Sequence, residues 1–424
     1  MRKLFCSMVL VCVLSVFMLG AEVTFWFAGG DPQLDLPIVK KQIADFEKAT
    51  GIKVNLVVIP WAEDPHTKLD VAIMSGKAPD LAKVGSPREH ALAWSKSVEP
   101  LEKYLPKDFL NSFSKSVLLG STYKMNSPQE LSGKIVGIPY FCHTRVVLYR
   151  KDILAERGLP EPSSDWTWND FLEYAKRLTF DRNNDGQIDV YGFGASAQYA
   201  YQLMIWVWQA GGTMINEKGA PTINTEAFYK GAKFFVDLFR TFKVVQPGAV
   251  NANLADVRRQ LVAGQVAMYI DTGDAGPALR KELGDKVGAV VLPTNPETGR
   301  RTSYYGADVF VIPSSAKHKE EAAKLLMWLC GKENMLEYCN VAGFVPSRTD
   351  AAEEYVSNDP IMEAFAQQMS DSNPWVEHPE YSAFTRIIKA AIQDVLSGKL
   401  SLEDGLKRAQ QELEAHLKEK GYSW

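Results

Sequence analysis

The amino-acid sequence predicts an α/β protein of two domains, and three observations carry that prediction. Short apolar runs that read as strands alternate with amphipathic stretches that read as helices, the pattern of sheets flanked by helices. At 424 residues the chain is longer than one ordinary core organises. Polar and aromatic residues recur where the strand patterns end, which is where open α/β sheets bind ligands.

The chain opens with the layout of a secretory signal peptide over residues 1–21. Arg2 and Lys3 form a basic start, 4–19 run without charge, and Gly20 and Ala21 are small enough for cleavage. Cys6 and Cys12 lie inside the apolar run and no Cys follows Ala21 directly, so a lipid anchor is not expected. The run is short for a transmembrane helix and no comparable stretch follows. The expected product is a free protein, periplasmic or secreted.

Residues 23–27 form the first strand pattern and end in Gly29 and Gly30. A helix over 36–50 repeats apolar residues at Ile38, Ile43 and Phe46 and stops at Gly51. A strand over 52–59, a helix over 69–75 closed by Gly76 and a strand over 80–84 follow, an alternation that argues for a largely parallel sheet. Strand-like pieces at 135–138 and 146–149 flank Pro139 to His143, as a chain crossing between two lobes would. Helices fit 166–178, with Thr167 as N-cap, and also 199–210 and 225–239. A strand at 266–270 precedes a glycine-bearing loop at 271–276. Strands at 287–292 and 308–312 come next, and most of the chain after Lys317 is helical. No internal repeat or low-complexity tract is present.

Lys and Arg number 47 against 51 Asp and Glu, well mixed. No basic tract supports nucleic-acid binding. Aromatic residues make up 11% of the chain and include 10 Trp, more than a plain core needs, although most of them still serve as core. Trp94, Trp168 and Trp328 sit in helical patterns and are assigned to the interior. Beyond the leader stand Cys142, Cys330 and Cys339. Their odd number implies a free thiol or an intermolecular bond, and the spacing of Cys330 and Cys339 permits a pair without establishing one. No CxxC or His/Cys cluster suggests zinc.

The loop DRNNDGQID carries Asp181, Asn183, Asp185, Gln187 and Asp189, with Gly186 at the sharp turn. Oxygen side chains at that spacing wrap a hard cation such as Ca²⁺. The twelfth position is Gly192 instead of a bidentate Glu, so the loop reads equally as a weak structural Ca²⁺ site or as a polar turn held by its own Asp and Asn residues. No cofactor is required. Catalytic motifs such as GxSxG and HExxH are absent, and the six His stand alone. Gly29-Gly30 lacks the further glycines and the Lys-Ser/Thr of a phosphate loop.

The informative constellation lies at the strand ends: Trp26 and Asp31, Trp61, Ser86 and Arg88, Tyr140, His143 and Arg145, Asp271 and Asp274, and Asp308. Flat rings against C–H faces and charged groups for hydroxyls are what a sugar requires. Each member taken singly fits a core residue or a structural ion pair; the set carries the inference.

Several stretches, in order, resemble the extracellular solute-binding proteins of carbohydrate-uptake ATP-binding-cassette systems, the group that includes maltose-binding protein. They are VTFWF from Val23, FEKATGIKV from Phe46, MSGKAPD from Met74, GIP from Gly137, LYRKD from Leu148 and WTWNDF from Trp166. Gly211-Gly212, GQVAM from Gly264, residues 322–329 and VLSG from Val395 complete the set. The resemblance covers nearly the whole mature chain. It implies a two-lobed periplasmic-binding-protein fold, each lobe a sheet flanked by helices, with hinge crossings and a ligand cleft between. The first lobe would take 22–141 and 295–345, the second 142–294 and 346–424. By the same resemblance Trp26, Asp31, Trp61, Ser86 and Arg88 contact ligand. Trp375 matches a late aromatic that stacks on the sugar, and Tyr201 and Trp206 match a cleft-facing helix. His143 stands where relatives often carry Asp, Gly273 and Asp274 where they carry Gly-x-Trp, and Gly306-Ala307 where they carry two glycines. These departures imply the same role with a different ligand. The expected function is capture of a sugar or polyol by a monomer that delivers it to permease subunits of an importer, without catalysis. The alternatives are an exported carbohydrate-active enzyme, which would need two carboxylates at fixed separation, and a binding protein for a non-sugar solute.

Overall fold

The computed structural model describes residues 22–30, 32–123, 128–355 and 360–424. The leader at 1–21 and Asp31 lie outside the described residues. The strands are β1 (Glu22–Ala28), β2 (Lys53–Ile59), β3 (Leu81–Gly85), β4 (Ile138–His143), β5 (Val146–Arg150) and β6 (Tyr191–Gly194). They continue as β7 (Val266–Asp271), β8 (Val287–Val290), β9 (Ser303–Val311), β10 (Val345–Pro346) and β11 (Ser372–Pro374).

Two sheets result. One has the order β10-β4-β9-β3-β1-β2, with β11 paired to the start of β9; the other has the order β6-β7-β5-β8. Helix Leu36–Thr50 connects β1 to β2 and helix Pro65–Met74 connects β2 to β3, and these crossovers make β1, β2 and β3 parallel. Helix Leu36–Thr50 buries Leu36, Val39, Ile43 and Phe46 and ends where Gly51 takes φ 74°. The expected parallel sheet holds only for this part. Strand β9 runs antiparallel to β3 and β4, and β5 runs antiparallel to β7 and β8. The reason is directional: β9 returns from the second lobe and so enters the first sheet from the opposite end.

The chain crosses at Thr144 and Arg145 between β4 and β5, again into β9, and a third time after helix Thr349–Glu354. Residues 295–302 belong with the second lobe, where the Thr298 hydroxyl donates to the Gln209 carbonyl (2.5 Å). Helix Thr349–Glu354 belongs with the first, where the Thr349 N–H reaches the Ser112 carbonyl (2.9 Å). In the second lobe helix Trp168–Arg177 starts at a capping box of Thr167 and Asp170. Helix Ala200–Gln209 is buried at every position. Cys142, Cys330 and Cys339 are all free buried thiols. Trp168 and Trp328 pack inward, their indole N–H groups bonded to Gln209 (2.5 Å) and to the Gln42 carbonyl (2.9 Å). Trp94 does not follow the inward assignment: it is 36% exposed, with its ring 5.6 Å from that of Tyr422. Among the described residues no helix is long and apolar enough to cross a membrane.

The arrangement that positions the site follows from register. Strand β4 runs almost directly into β5, so its carboxyl end lies at the junction. Strand β9 begins there and opposes β4 and β3, which brings the carboxyl ends of β1, β2 and β3 to the same side. Asp271 at the end of β7 pairs with Val146, Val290 at the end of β8 pairs with Val147, and β6 parallels β7. The two sheets therefore present their carboxyl ends to each other across the junction.

Candidate functional site

Three of the cavities along this seam, each walled by both lobes, hold many of the expected residues. The first, about 340 Å³, is lined by Gly29, Trp61, Lys83 and Asp308 from one lobe and by Arg258 and Asp274 from the other. Gly29 takes φ 80°, and a Cβ there would lie 2.3 Å from Trp61 Nε1, so glycine is what lets the indole rest on the loop after β1. Trp61 is 47% exposed. The Lys83 ammonium donates to Asp308 (2.5 Å), and both side chains are buried. The same ammonium lies 4.3 Å from the Phe27 ring centroid and 5.1 Å from that of Phe141. Burial pushes the Asp308 carboxyl up, with Lys83 pulling the other way. Arg258 pairs with Asp271 (3.0 Å) and Asp274 (3.2 Å), and Asp274 Oδ1 is a buried acceptor without a partner among the described residues.

A ridge from the crossing strand separates the first cavity from the second. Arg145 Nη1 donates to His143 Nδ1 (2.6 Å), and the guanidinium carbon lies 4.6 Å from the ring centroids of both Tyr201 and Tyr304. Burial first, then Arg145 and Lys83, hold His143 well below its ordinary range; a neutral ring is the one that can accept from Arg145.

The second cavity, about 210 Å³, is aromatic. Ser86 and Pro87 face Tyr199, Tyr201, Tyr304, Trp375 and Tyr381. Tyr201 stacks on Tyr304 (5.6 Å, 16°), and Trp375 stands edge-on to Tyr304 (5.7 Å) and Trp208 (5.9 Å). The Ser86 hydroxyl donates to Glu89 (2.8 Å), whose carboxyl is pushed up by burial. The third cavity, about 370 Å³, shares Tyr381 and Thr385 with the second and is bordered by His66 and Arg88. His66 Nε2 accepts from the Gly85 N–H (3.2 Å); Arg88 pairs with Asp70.

The structure thus brings Trp61, Ser86, Arg88, Tyr201, Asp274, Asp308 and Trp375 to one seam, with His143 and Arg145 in its dividing ridge. Four other expected contacts lie elsewhere. Trp26 packs on the face of β1 opposite Phe25 and Phe27, against the cluster of Leu69, Ala82 and Val84, because neighbouring strand residues point to opposite faces. Tyr140 is fully buried against Phe310 (4.8 Å) and Tyr338 (4.6 Å). Trp206 is fully buried among Trp168 (5.6 Å), Phe171 (5.3 Å) and Phe234 (4.9 Å), since its helix is covered on all sides. Gly273 is a point of backbone contact between lobes: a Cβ there would lie 2.0 Å from the Gly343 carbonyl oxygen. Sequence reasoning missed Lys83, Arg258, Tyr304 and Tyr381. A Lys inside the apolar strand LAKVG was the signal available for Lys83.

The 181–189 loop is closed by its own backbone. The Asp181 carboxylate accepts from the N–H groups of Asn183 (3.2 Å), Asn184 (2.7 Å), Asp185 (3.3 Å) and Gly186 (2.7 Å). Asp189 accepts from Arg182 (2.7 Å) and Asn183 (3.3 Å), Asn183 Oδ1 from Asp185 (2.8 Å), and Asp185 Oδ1 from Gln187 (2.8 Å). Among the described residues no three His, Cys, Asp or Glu side chains gather in a metal-binding group.

The sequence matches the family model of bacterial extracellular solute-binding proteins over residues 31–336. The chain belongs to that family. A putative binding protein of Brucella abortus (strain 2308) is 27% identical over 378 residues, 87% of this chain and 86% of that one. The mannitol-binding protein of Pseudomonas aeruginosa is 24% identical over 386 residues, 83% of each. In fold, this solute-binding protein is similar to an ABC transporter solute-binding protein of Thermotoga lettingae TMO bound with alpha-D-tagatose (TM-score 0.81, 24% identity, 92% of this chain and 98% of that one). The family is described as extracellular, and the relatives above are named as binding proteins.

Proposed function

We propose that this solute-binding protein captures a sugar or polyol between its lobes and hands it to the membrane subunits of an ATP-binding-cassette importer. The observation that carries the reading is the meeting of two sheets' carboxyl ends along one seam, with Trp61 in one cavity and Tyr201, Tyr304 and Trp375 in the next, each cavity walled by both lobes. Ring faces suit the C–H faces of a sugar. Lys83, Asp308, Arg258 and Asp274 offer charge-assisted hydrogen bonds to hydroxyls. Because each cavity is walled by both lobes, a bound solute adds contacts that an open arrangement loses, so it shifts a hinge equilibrium toward closure. The relative named for mannitol and the similar fold that holds tagatose support a small polyhydroxylated solute. The cations at the seam argue against a polyamine. The leader pattern at 1–21 supports export to the periplasm or beyond, where the protein would act as a monomer without turnover.

Isothermal titration and thermal shift against a broad panel of sugars and polyols test the reading. At least one should bind and raise the melting temperature; silence across the panel would sink it. Trp375→Ala should weaken that binding while the protein stays folded, and unchanged affinity would remove Trp375 from the site.

A further inference from the structure

We propose that the third cavity is a subsite for an anionic substituent, a carboxylate or a phosphate, on the captured solute, held by Arg88, Arg386 and Lys389. The inference rests on the capture reading above and narrows the class of solute.

Helix Tyr381–Leu396 buries Ala383, Phe384, Ile387, Ile388 and Ala391 on one face. Its other edge sends Thr385, Arg386 and Lys389 into the cavity, at one-turn spacing. Across from it stand Asp64, Asp70 and Arg88 of the first lobe. The two carboxylates differ in role: Asp64 caps a helix and keeps its charge, and Asp70 is ion-paired. Asp64 accepts from the Thr67 N–H (3.2 Å) and the Thr67 hydroxyl (2.7 Å) as a helix cap, and Asp70 is taken by Arg88. Arg386 and Lys389 make no ion pair among the described residues. Farther along the same helix, Asp394 does pair with both Lys399 (3.0 Å) and Arg408 (2.8 Å). Arg88 also keeps a buried Nε with no partner among the described residues. His66 borders the cavity as a neutral ring and cancels none of this charge.

The charge changes along the seam. The first cavity sets Asp35, Asp274 and Asp308 against Lys83 and Arg258. The aromatic cavity carries no charged side chain in its lining. The third sets Arg88, Arg386 and Lys389 against Asp64 and Asp70, three cations to two carboxylates, and with Arg88 paired to Asp70 it leaves Arg386 and Lys389 as its unpaired cations among the described residues. A solute whose ring lies on Trp375 and Tyr304 reaches the cations by passing Tyr381 and Thr385, which line both spaces. Planar guanidinium groups match carboxylate and phosphate oxygens, and a Lys adds a mobile point charge.

The test is isothermal titration of matched pairs: D-mannitol against D-mannitol 1-phosphate, and galactobiose against digalacturonate. The anionic member of at least one pair should bind roughly tenfold tighter or more, about 1.4 kcal/mol, and the pair that responds separates phosphate from carboxylate. Raising NaCl should erode the margin. The double variant Arg386→Ala, Lys389→Ala, and Arg386→Gln, Lys389→Gln as a bulkier control, should abolish the margin while leaving the neutral member and the melting temperature unchanged. Equal or tighter binding of the neutral members overturns the subsite and leaves solute capture standing. A double variant that weakens neutral and anionic members alike also overturns it, since the cations would then serve closure. Silence from all four probes and from the wider panel overturns both readings.

Discussion

Trp61→Ala isolates the contribution of the first lobe's aromatic wall. Trp61 is 47% exposed, and its indole rests on Gly29 instead of filling a core. Removing it should therefore cost little stability. An indole side chain presents up to about 250 Å², so roughly 120 Å² is open to be covered. If a sugar ring covers half to all of that, burial at about 25 cal/mol per Å² gives ~1.5–3 kcal/mol, a loss of about 10- to 150-fold in affinity. Trp61→Phe should retain most of the binding. The assay is isothermal titration with whichever solute the panel yields, alongside thermal melts. Affinity within twofold of the unaltered protein would refute the wall. A fall in melting temperature of several degrees would refute the premise that Trp61 is structurally idle.

Three further outcomes follow from the same geometry. Gly29→Ala places a methyl group where the Trp61 indole lies and at a φ of 80°; it should lower affinity much as Trp61→Ala does and cost about 1–2 kcal/mol of stability, read by titration and melts together. Asp308→Asn leaves the buried Lys83 ammonium without its counter-ion and should destabilise by about 3–5 kcal/mol, a loss that an unshifted denaturation midpoint would disprove. His66 is pushed down to about 4, by burial first and then by Arg88. The unfolded chain takes up its proton near 6.5, so this stabilisation is complete above that pH and is lost as the pH falls toward 4. By pH 4 the loss is roughly 3 kcal/mol, and His143 acts in the same direction. Melts at pH 7.5, 5.5 and 4 should show the decline, and His66→Gln should make it shallower while His143 keeps part of it.

What the sequence by itself determined is local. Gly51 could stop a helix because only glycine sits easily at φ 74°. Thr167 and Asp170 could start one because their side chains meet the free N–H groups of the first turn. Alternating strands and helices sufficed for two α/β lobes, and polar or aromatic residues at strand ends marked where the seam would fall. Tertiary structure decided the rest. Period-two alternation says that Trp26 and Phe27 face opposite ways, yet which face a helix covers depends on packing across 40 residues or more, and that sent Trp26 inward and left Trp61 on the seam. Trp206 was indistinguishable from a cleft residue until helix Ala200–Gln209 was covered on every side. Lys83 and Asp308 are 225 positions apart, and no local rule pairs them. They meet because β9 comes back from the second lobe against β3, and only long-range strand pairing decides which distant charges share a buried site.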